Sequence, residues 1–251
     1  MKIATWNVNS IRVRAEQLSE FLHTNSIDVI LLQELKCLTE AFPNEIFEDL
    51  GYNCAVFGQK TYNGVAILSK FLIEDVVFGN DIFKNDPQAR YIEAFINGYR
   101  LASVYVPNGQ SPETTAYSYK LEFFDILTNH ITNTIQNEKY IIGGDFNVAL
   151  EDIDVYNPKL WKDKICCTGK ERDKLNNIIC SGLIDVARKI SNDAIYTWWD
   201  YRHGGFPKNH GLRLDYLFST ENITIKDCRV NTAIRGLERP SDHAPIIAEI
   251  D

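Results

Sequence analysis

Two short runs limit this chain more than any other feature. Residues 28–34, "DVILLQE", and 140–147, "YIIGGDFN", are almost continuously apolar and then stop at a carboxylate or an amide. A strand with water on one face alternates apolar and polar positions, whereas a strand covered on both faces reads as an unbroken apolar run. Both runs therefore predict buried strands with a polar group at the exit. Further strand-like runs lie at 2–6, 53–57, 64–69, 91–96, 100–106, 195–199, 213–219 and 244–250.

Helical periodicity is sparser. Ile11, Ala15, Leu18 and Leu22 make one stripe, with Ser10 as the expected N-cap, and Tyr117, Leu121, Phe124, Ile131 and Ile135 make another. A third helix is expected over 171–181 and a short one from about 183. Neither an internal repeat nor a Pro/Gly/Ser linker divides the chain. Many strands with few helices predict packed sheets with outer helices in one domain over 1–251, an α/β chain. Segment 152–170 has no clear period, and so long a loop in a compact domain is usually functional or mobile.

The N-terminus has no basic segment leading into an apolar run, and no stretch nears the roughly 20 apolar residues of a membrane span. The expectation is a soluble cytoplasmic protein. Its six cysteines form no CxxC pair or regular framework, which favours reduced thiols over zinc ribbons or disulfides. A net charge of −8 argues against gripping nucleic acid by bulk charge, yet it suits an acidic pocket that holds a divalent cation.

Polar residues cluster where strands end. Asn7, Glu34, Tyr105, Asp145 and Asn147 follow or close predicted strands, while Asp215 and the pair Asp242–His243 stand at strand beginnings. In a mixed sheet, the ends of strands running one way share a rim with the starts of strands running the other way. Singly, each residue reads as a turn former or a strand end meeting water. Together they offer one edge carrying carboxylates, amides, a phenol and an imidazole. Mg²⁺ takes oxygen ligands and typically keeps waters, so Glu34, Asp145 and Asp242 with amide oxygens of Asn7 and Asn147 fit it. Tightly spaced His and Cys for zinc are missing, as are a G-x-S-x-G elbow, a P-loop and a dinucleotide fingerprint. "GQKTYNGVAIL" reads better as a hairpin. A phosphate about 4 Å from a bare carboxylate is repelled by ~4 kcal/mol at an effective dielectric near 20, so carboxylates beside a phosphate imply a metal.

With these residues in place, the whole chain resembles the exonuclease III family of abasic-site endonucleases, within the endonuclease/exonuclease/phosphatase superfamily. The blocks carrying the resemblance are "WNVNSIR" (6–12), "LLQELK" (31–36), "NGVAILS" (63–69), "VYVPNG" (104–109), "GGDFNVA" (143–149), "YTWWDYR" (196–202), "GLRLDYL" (211–217) and "SDHAPI" (241–246). The resemblance implies a four-layer α-β-β-α sandwich of two mixed sheets and Mg²⁺- or Mn²⁺-dependent hydrolysis of a DNA phosphodiester. It implies Glu34 as principal metal ligand, with Asn7 and Asp242 close to the ion or its waters. Asp145 would orient or deprotonate the attacking water, and Asn147 would help place it. His243, oriented by Asp215, would stabilise developing phosphate charge. Tyr105 would contact the phosphate or assist the leaving group, and Asn108 would touch the phosphate.

The same resemblance makes Trp198 and Leu212 the wall of a pocket for an extruded, base-less sugar. Arg12, Lys36, Lys60, Tyr62 and Arg90 are candidate DNA backbone contacts, although each reads equally well as a solvated side chain. The implied partner is duplex DNA with abasic sites or blocked 3′ ends, met by a monomer with no membrane role. Members differ in segment 157–170, where a bulky side chain could close the sugar pocket and leave mainly 3′-phosphatase or 3′–5′ exonuclease activity. Two other readings stand beside this one. A different phosphodiesterase of the superfamily is disfavoured by the lack of an export signal and by the "TWWDYR…GLRLDYL" pair. A catalytically dead nucleic-acid binder would have no use for Asp145, Asn147 and His243 together.

Overall fold

A computed structural model describes residues 1–84, 86–136 and 138–251. In chain order the elements begin β1 (Lys2–Asn7), α1 (Ile11–Asn25), β2 (Val29–Gln33), α2 (Asn44–Glu48), β3 (Asn53–Phe57), β4 (Val65–Ser69), β5 (Glu74–Phe78) and α3 (Gly79–Ile82). They continue with β6 (Tyr91–Ile96), β7 (Tyr99–Tyr105), α4 (Thr115–Thr134), β8 (Tyr140–Asp145), α5 (Pro158–Trp161), α6 (Gly169–Cys180), β9 (Leu183–Asp185) and α7 (Val186–Ile190). The last are β10 (Trp198–Trp199), β11 (Gly211–Leu212), β12 (Asp215–Thr220), β13 (Ile225–Val230) and β14 (Ile246–Ile250). One sheet runs β13-β14-β1-β2-β4-β3, the other β5-β6-β7-β8-β12-β9, and β10-β11 form a small ribbon.

Alternation along each central strand produces the layers. Ile3, Val29, Leu31 and Ile67 of the first sheet meet Ile92, Leu101, Ile141 and Leu217 of the second between the sheets. The intervening Ala4, Trp6, Ile30 and Leu32 point outward onto Ile11, Leu18 and Phe21 of α1. On the far side, Val104, Ile142, Tyr216 and Phe218 pack on Phe124, Leu127 and Ile131 of α4 and on Leu175 and Ile178 of α6. The two mixed sheets flanked by helices are the four-layer α-β-β-α arrangement expected. Among the described residues no helix is long and apolar enough to cross a membrane.

Strand direction decides where the polar residues go. β1 runs parallel to β2 and antiparallel to β14, while β7 runs parallel to β8 and β8 antiparallel to β12. The exits of β1, β2, β7 and β8 therefore share an edge with the entries to β12 and β14. Towards that edge the inter-sheet layer turns polar: Gln33 donates to Ser103 Oγ at 2.9 Å, and Ser103 Oγ donates to the Leu32 carbonyl at 2.8 Å. Gly143 keeps the sheets close there. A Cβ on it would lie 2.6 Å from Leu217 Cδ2, 2.9 Å from Leu31 Cδ1 and 3.1 Å from Thr5 Cβ.

Several local expectations change. Ser10 does not cap α1 with its side chain; its backbone has φ 93°, and the Ser10 and Ile11 amides donate instead to the Glu34 and Leu35 carbonyls at 2.8 and 3.1 Å. The first turn of α1 is thus tied to the exit of β2. The run 195–199 pairs as a strand only at Trp198–Trp199, because Thr197 turns its hydroxyl to the Leu214 and Asp215 amides. A strand, β9, precedes the short helix expected from about 183, and Asp185 caps that helix by accepting from the Ala187 and Arg188 amides. Strands β5, β9, β11 and β13 were not expected. β5 and β13 carry charged residues at sheet edges, where a clean apolar signal is not required. The 58–64 segment does join a hairpin, β3 to β4. Segment 152–170 is built from short turns, with α5 in its middle and the start of α6 at its end.

Gly143→Val should lower stability by roughly 1–3 kcal/mol through overpacking between the sheets, read as a lower urea midpoint at unchanged slope.

Candidate active site

Sheet register brings the rim residues into contact. Tyr105 is paired with Asp145 across β7–β8, and Asp145 with Asp215 across β8–β12. Asn7 is paired with Gln33, so Glu34 leaves β2 beside it. Asp242 and His243 arrive on the segment entering β14, where His243 bridges to Trp198. Glu34 and Asn147 both turn through left-handed backbone, with φ 53° and 51°. Asparagine tolerates that region better than most residues.

The Asn7 amide is the joint of the cluster. Its Nδ2 donates to Glu34 Oε1 at 2.9 Å and to Asp145 Oδ2 at 3.0 Å, while its Oδ1 accepts from the Asn9 backbone amide at 3.0 Å. That backbone donor fixes which end of the amide faces the carboxylates. Lys36 Nζ lies 2.9 Å from Glu34 Oε2. His243 Nδ1 meets Asp215 Oδ2 at 2.8 Å, leaving Nε2 3.7 Å from Asp145 Oδ2. Ligand atoms of Glu34, Asp145 and His243 all lie within 4.8 Å of one another.

Burial, reinforced by the charges of Asp215 and Glu34, raises the Asp145 carboxyl above its ordinary range, although His243 and the Asn147 amide oppose the rise. For His243, burial opposes charging, but Asp215 and Asp145 outweigh it and the imidazole holds its proton more strongly than usual. With Nδ1 held by Asp215, Nε2 is the ring nitrogen turned towards Asp145 and, when the ring is charged, a donor into the cleft. Burial, then the Glu34 and Asp145 charges, push the Tyr105 phenol well up, against Arg90. Tyr105 therefore stays a neutral donor.

These groups line a cleft of about 450 Å³ that also takes in Asn108, Asn147, Trp161, Ile165, Cys166, Trp198 and Leu212. Trp198 and Leu212 are directly opposed on the β10–β11 ribbon. A hard cation that keeps waters and takes a few carboxylate oxygens suits Glu34 and Asp145, which are crowded together and face open space.

Residues 4–243 match the sequence model of the Endonuclease/Exonuclease/phosphatase family. The chain belongs to that family. Exodeoxyribonuclease III of Haemophilus influenzae is 35% identical over 266 residues, spanning 99% of each chain. Among solved structures, the 3′-5′ exonuclease NExo of Neisseria meningitidis is 42% identical with a TM-score of 0.98, covering 100% of both chains. An AP endonuclease from Archaeoglobus fulgidus is 37% identical with a TM-score of 0.96, over 100% of this chain and 99% of that one. As a member of the endonuclease/exonuclease/phosphatase family, the chain is a metal-dependent hydrolase, and Glu34, Asp145 and His243 form a cluster that could hold a metal ion.

Three expected ligands are placed differently. The amide oxygen of Asn7 faces the Asn9 backbone, not the cleft. Asn147 donates Nδ2 to the Val106 carbonyl at 2.9 Å and turns its Oδ1 to Asn108 Nδ2 at 3.1 Å, so its oxygen is also engaged. Asp242 stands outside the cluster, with Oδ1 accepting from Asn9 Nδ2 at 2.8 Å and Oδ2 from Trp198 Nε1 at 3.0 Å. Each of these oxygens thus accepts from one protein donor and keeps a second lone pair, and Asn147 and Asp242 still line the cleft. Of the expected DNA contacts, Arg12, Lys60 and Tyr62 are exposed, whereas Lys36 is tied to Glu34 and Asn9, and Arg90 stacks 4.8 Å over the Tyr105 ring. Sequence reasoning missed Asn9, which links Asn7, Lys36 and Asp242, although it sits inside the "WNVNSIR" block.

Asp242→Ala would strip the acceptor from the Trp198 indole and from Asn9. The expected loss is roughly 1–3 kcal/mol in urea unfolding, accompanied by a change in tryptophan fluorescence. Unchanged stability and fluorescence would contradict this placement.

Proposed function

We propose that the chain is a Mg²⁺-dependent DNA-repair phosphodiesterase. It cleaves duplex DNA 5′ to abasic sites and removes 3′ blocking groups or 3′ nucleotides, acting as a monomer in the cytoplasm, with Mn²⁺ able to replace Mg²⁺. One observation carries the reading: Glu34 and Asp145, joined through the Asn7 amide, face the Asp215-paired imidazole of His243 across a single cleft. That juxtaposition of anions and a strong donor suits a phosphate held between a cation and an imidazolium. The names of its relatives, exodeoxyribonuclease III and AP endonuclease, support the choice of DNA as substrate.

Glu34 and Asp145 would hold the cation. When bound, the ion offsets their charge and stabilises the phosphate's negative oxygens. The Asp145 carboxylate takes a proton from the attacking water as the water oxygen bonds to phosphorus. The bond from phosphorus to the 3′ oxygen breaks on the opposite side, and Tyr105, kept protonated by its surroundings, supplies that oxygen with a proton. His243 Nε2 donates to a non-bridging oxygen while Asp215 holds the ring through Nδ1. Asn147 fixes Asn108, whose amide reaches the phosphate, and Asn7 keeps Glu34 and Asp145 at one spacing. Trp198 and Leu212 wall the extruded sugar; an apolar wall favours a nucleotide without its base. Arg12 and Tyr62 meet the DNA backbone.

A second reading, in which 3′-phosphatase or 3′–5′ exonuclease activity dominates, is favoured by Trp161. Its ring meets the Trp198 ring edge-on at 6.5 Å and 88°, and with Ile165 and Cys166 it lines the cleft beside that proposed sugar wall. The similarity to NExo points the same way.

Matched duplexes carrying an internal abasic analogue, a 3′-phosphate or neither separate the two readings. Thorough EDTA treatment should stop all cleavage and Mg²⁺ should restore it; undiminished activity after chelation contradicts the metal mechanism. Asp145→Asn should reduce turnover roughly 10²–10⁴-fold with DNA affinity nearly intact. Turnover like that of the wild type would remove Asp145 from its role. Trp161→Ala should raise abasic-site cleavage relative to 3′-phosphate removal, and an unchanged ratio would discard Trp161 as the gate.

A further inference from the structure

Lys120 of α4 and Glu171 of α6 are completely buried and face each other as an ion pair. Burying two charges is costly unless every donor and acceptor is used, and apolar side chains of similar volume would fill the space at less cost. Here each is used. The Lys120 ammonium has three N–H groups and three acceptors: the Asn108 carbonyl at 3.1 Å, the Asn147 carbonyl at 2.7 Å and Glu171 Oε1. Glu171 in turn accepts from the Cys166 amide at 3.0 Å, the Thr168 amide at 3.0 Å and the Thr168 hydroxyl at 2.8 Å.

The partners of this pair are the loops around the cleft. Asn108 and Asn147 bond to each other through their side chains, and both line the cleft. Cys166 lines it too, and its carbonyl accepts from the Ala149 amide at 2.7 Å, closing a ring of contacts back to the Asn147 segment. Asn147 sits at φ 51°, a conformation held at four points: its amide by Asp145, its side chain by Val106 and Asn108, and its carbonyl by Lys120. Only the carbonyl anchor comes from outside the rim. The Lys120 stem also fits beneath Gly109 (φ 89°), where a Cβ would lie 3.1 Å from Lys120 Cδ and from Ile165 Cδ1.

We propose that Lys120, with Glu171 as its counter-ion, is a positioning residue for phosphodiester hydrolysis. It fastens the main chain of Asn108 and Asn147 to the loop that walls the cleft, and it sets turnover rather than affinity for DNA. The proposal rests on the reading of this cleft as the phosphodiesterase site. A small displacement of catalytic groups is enough to slow a reaction strongly while leaving extended contacts with the DNA unchanged.

The test compares wild type, Lys120→Met, the double variant Lys120→Met/Glu171→Gln and Asn147→Ala by Tm and by steady-state kinetics on an abasic-site duplex with Mg²⁺. Lys120→Met leaves a buried carboxylate unpaired and should lower Tm markedly. The double variant carries neither charge and should recover most of that loss, yet its kcat should remain roughly 10- to 100-fold below wild type, with KM within about threefold. A merely structural pair gives a different result: kcat in the double variant returns with Tm, or KM rises while kcat holds, and either outcome overturns the proposal. Asn147→Ala turning over like wild type, beside a wild type that needs Mg²⁺, would instead remove Asn147 from the site, and the bracing role with it.

Discussion

Like charge crowded onto one rim is the constraint from which the rest of the structure follows. Glu34, Asp145, Asp215 and Asp242 stand at neighbouring strand ends, and two unit charges about 4 Å apart repel by ~4 kcal/mol at an effective dielectric near 20. The fold meets this locally. Asn7 places its NH₂ between Glu34 and Asp145, His243 neutralises Asp215, Lys36 approaches Glu34, and Asp242 is drawn aside by Asn9 and Trp198. Glu34 and Asp145 nevertheless share an anionic cleft wall, where burial first, and then the charges of Asp215 and Glu34, raise the Asp145 carboxyl. A bound cation would relieve that crowding.

Such a rim exists only because two sheets end at the same level. Alternating inward and outward residues set the layers, and Gly143 lets Leu31, Leu217 and Thr5 close the gap between the sheets beside Asp145. Parallel pairing of β1 with β2 and of β7 with β8 brings four strand exits to one edge. Loops then fix the side chains. Arg14 donates to the carbonyls of Asn9 and Pro240, and Ser241 donates to that of Asn7, so the segment carrying Asp242 and His243 is fastened to β1. Lys120 and Glu171 fasten the opposite wall.

Much of this was legible because buried strands leave a strong local signature. "DVILLQ" and "YIIGGD" announce their own burial, and their unbroken apolar pattern is enough to put the residues after them on an edge. Register, and with it the pairing of Asp145 with both Tyr105 and Asp215, is a long-range property that no single run encodes. The same holds for Asn9, Lys120 and Glu171. In the sequence, Lys120 looks like an ordinary charged position on an amphipathic helix, and only the approach of α6 makes it a buried donor. Ser10 failed as a cap because the Glu34 and Leu35 carbonyls reach the helix start first, a contact between residues far apart in the chain. The edge strands β5 and β13 were missed because their charged faces meet water. Amide orientation is beyond sequence too: the Asn9 backbone amide and the Val106 carbonyl decide which way the Asn7 and Asn147 amides turn.

Calorimetric titration of Mg²⁺ into metal-stripped protein bears most directly on the claim that this rim is built to be completed by a cation. Wild type should bind Mg²⁺ measurably, and Glu34→Gln should bind it roughly 10- to 100-fold more weakly while keeping its fold by circular dichroism. Equal Mg²⁺ affinity in the two proteins would contradict the account.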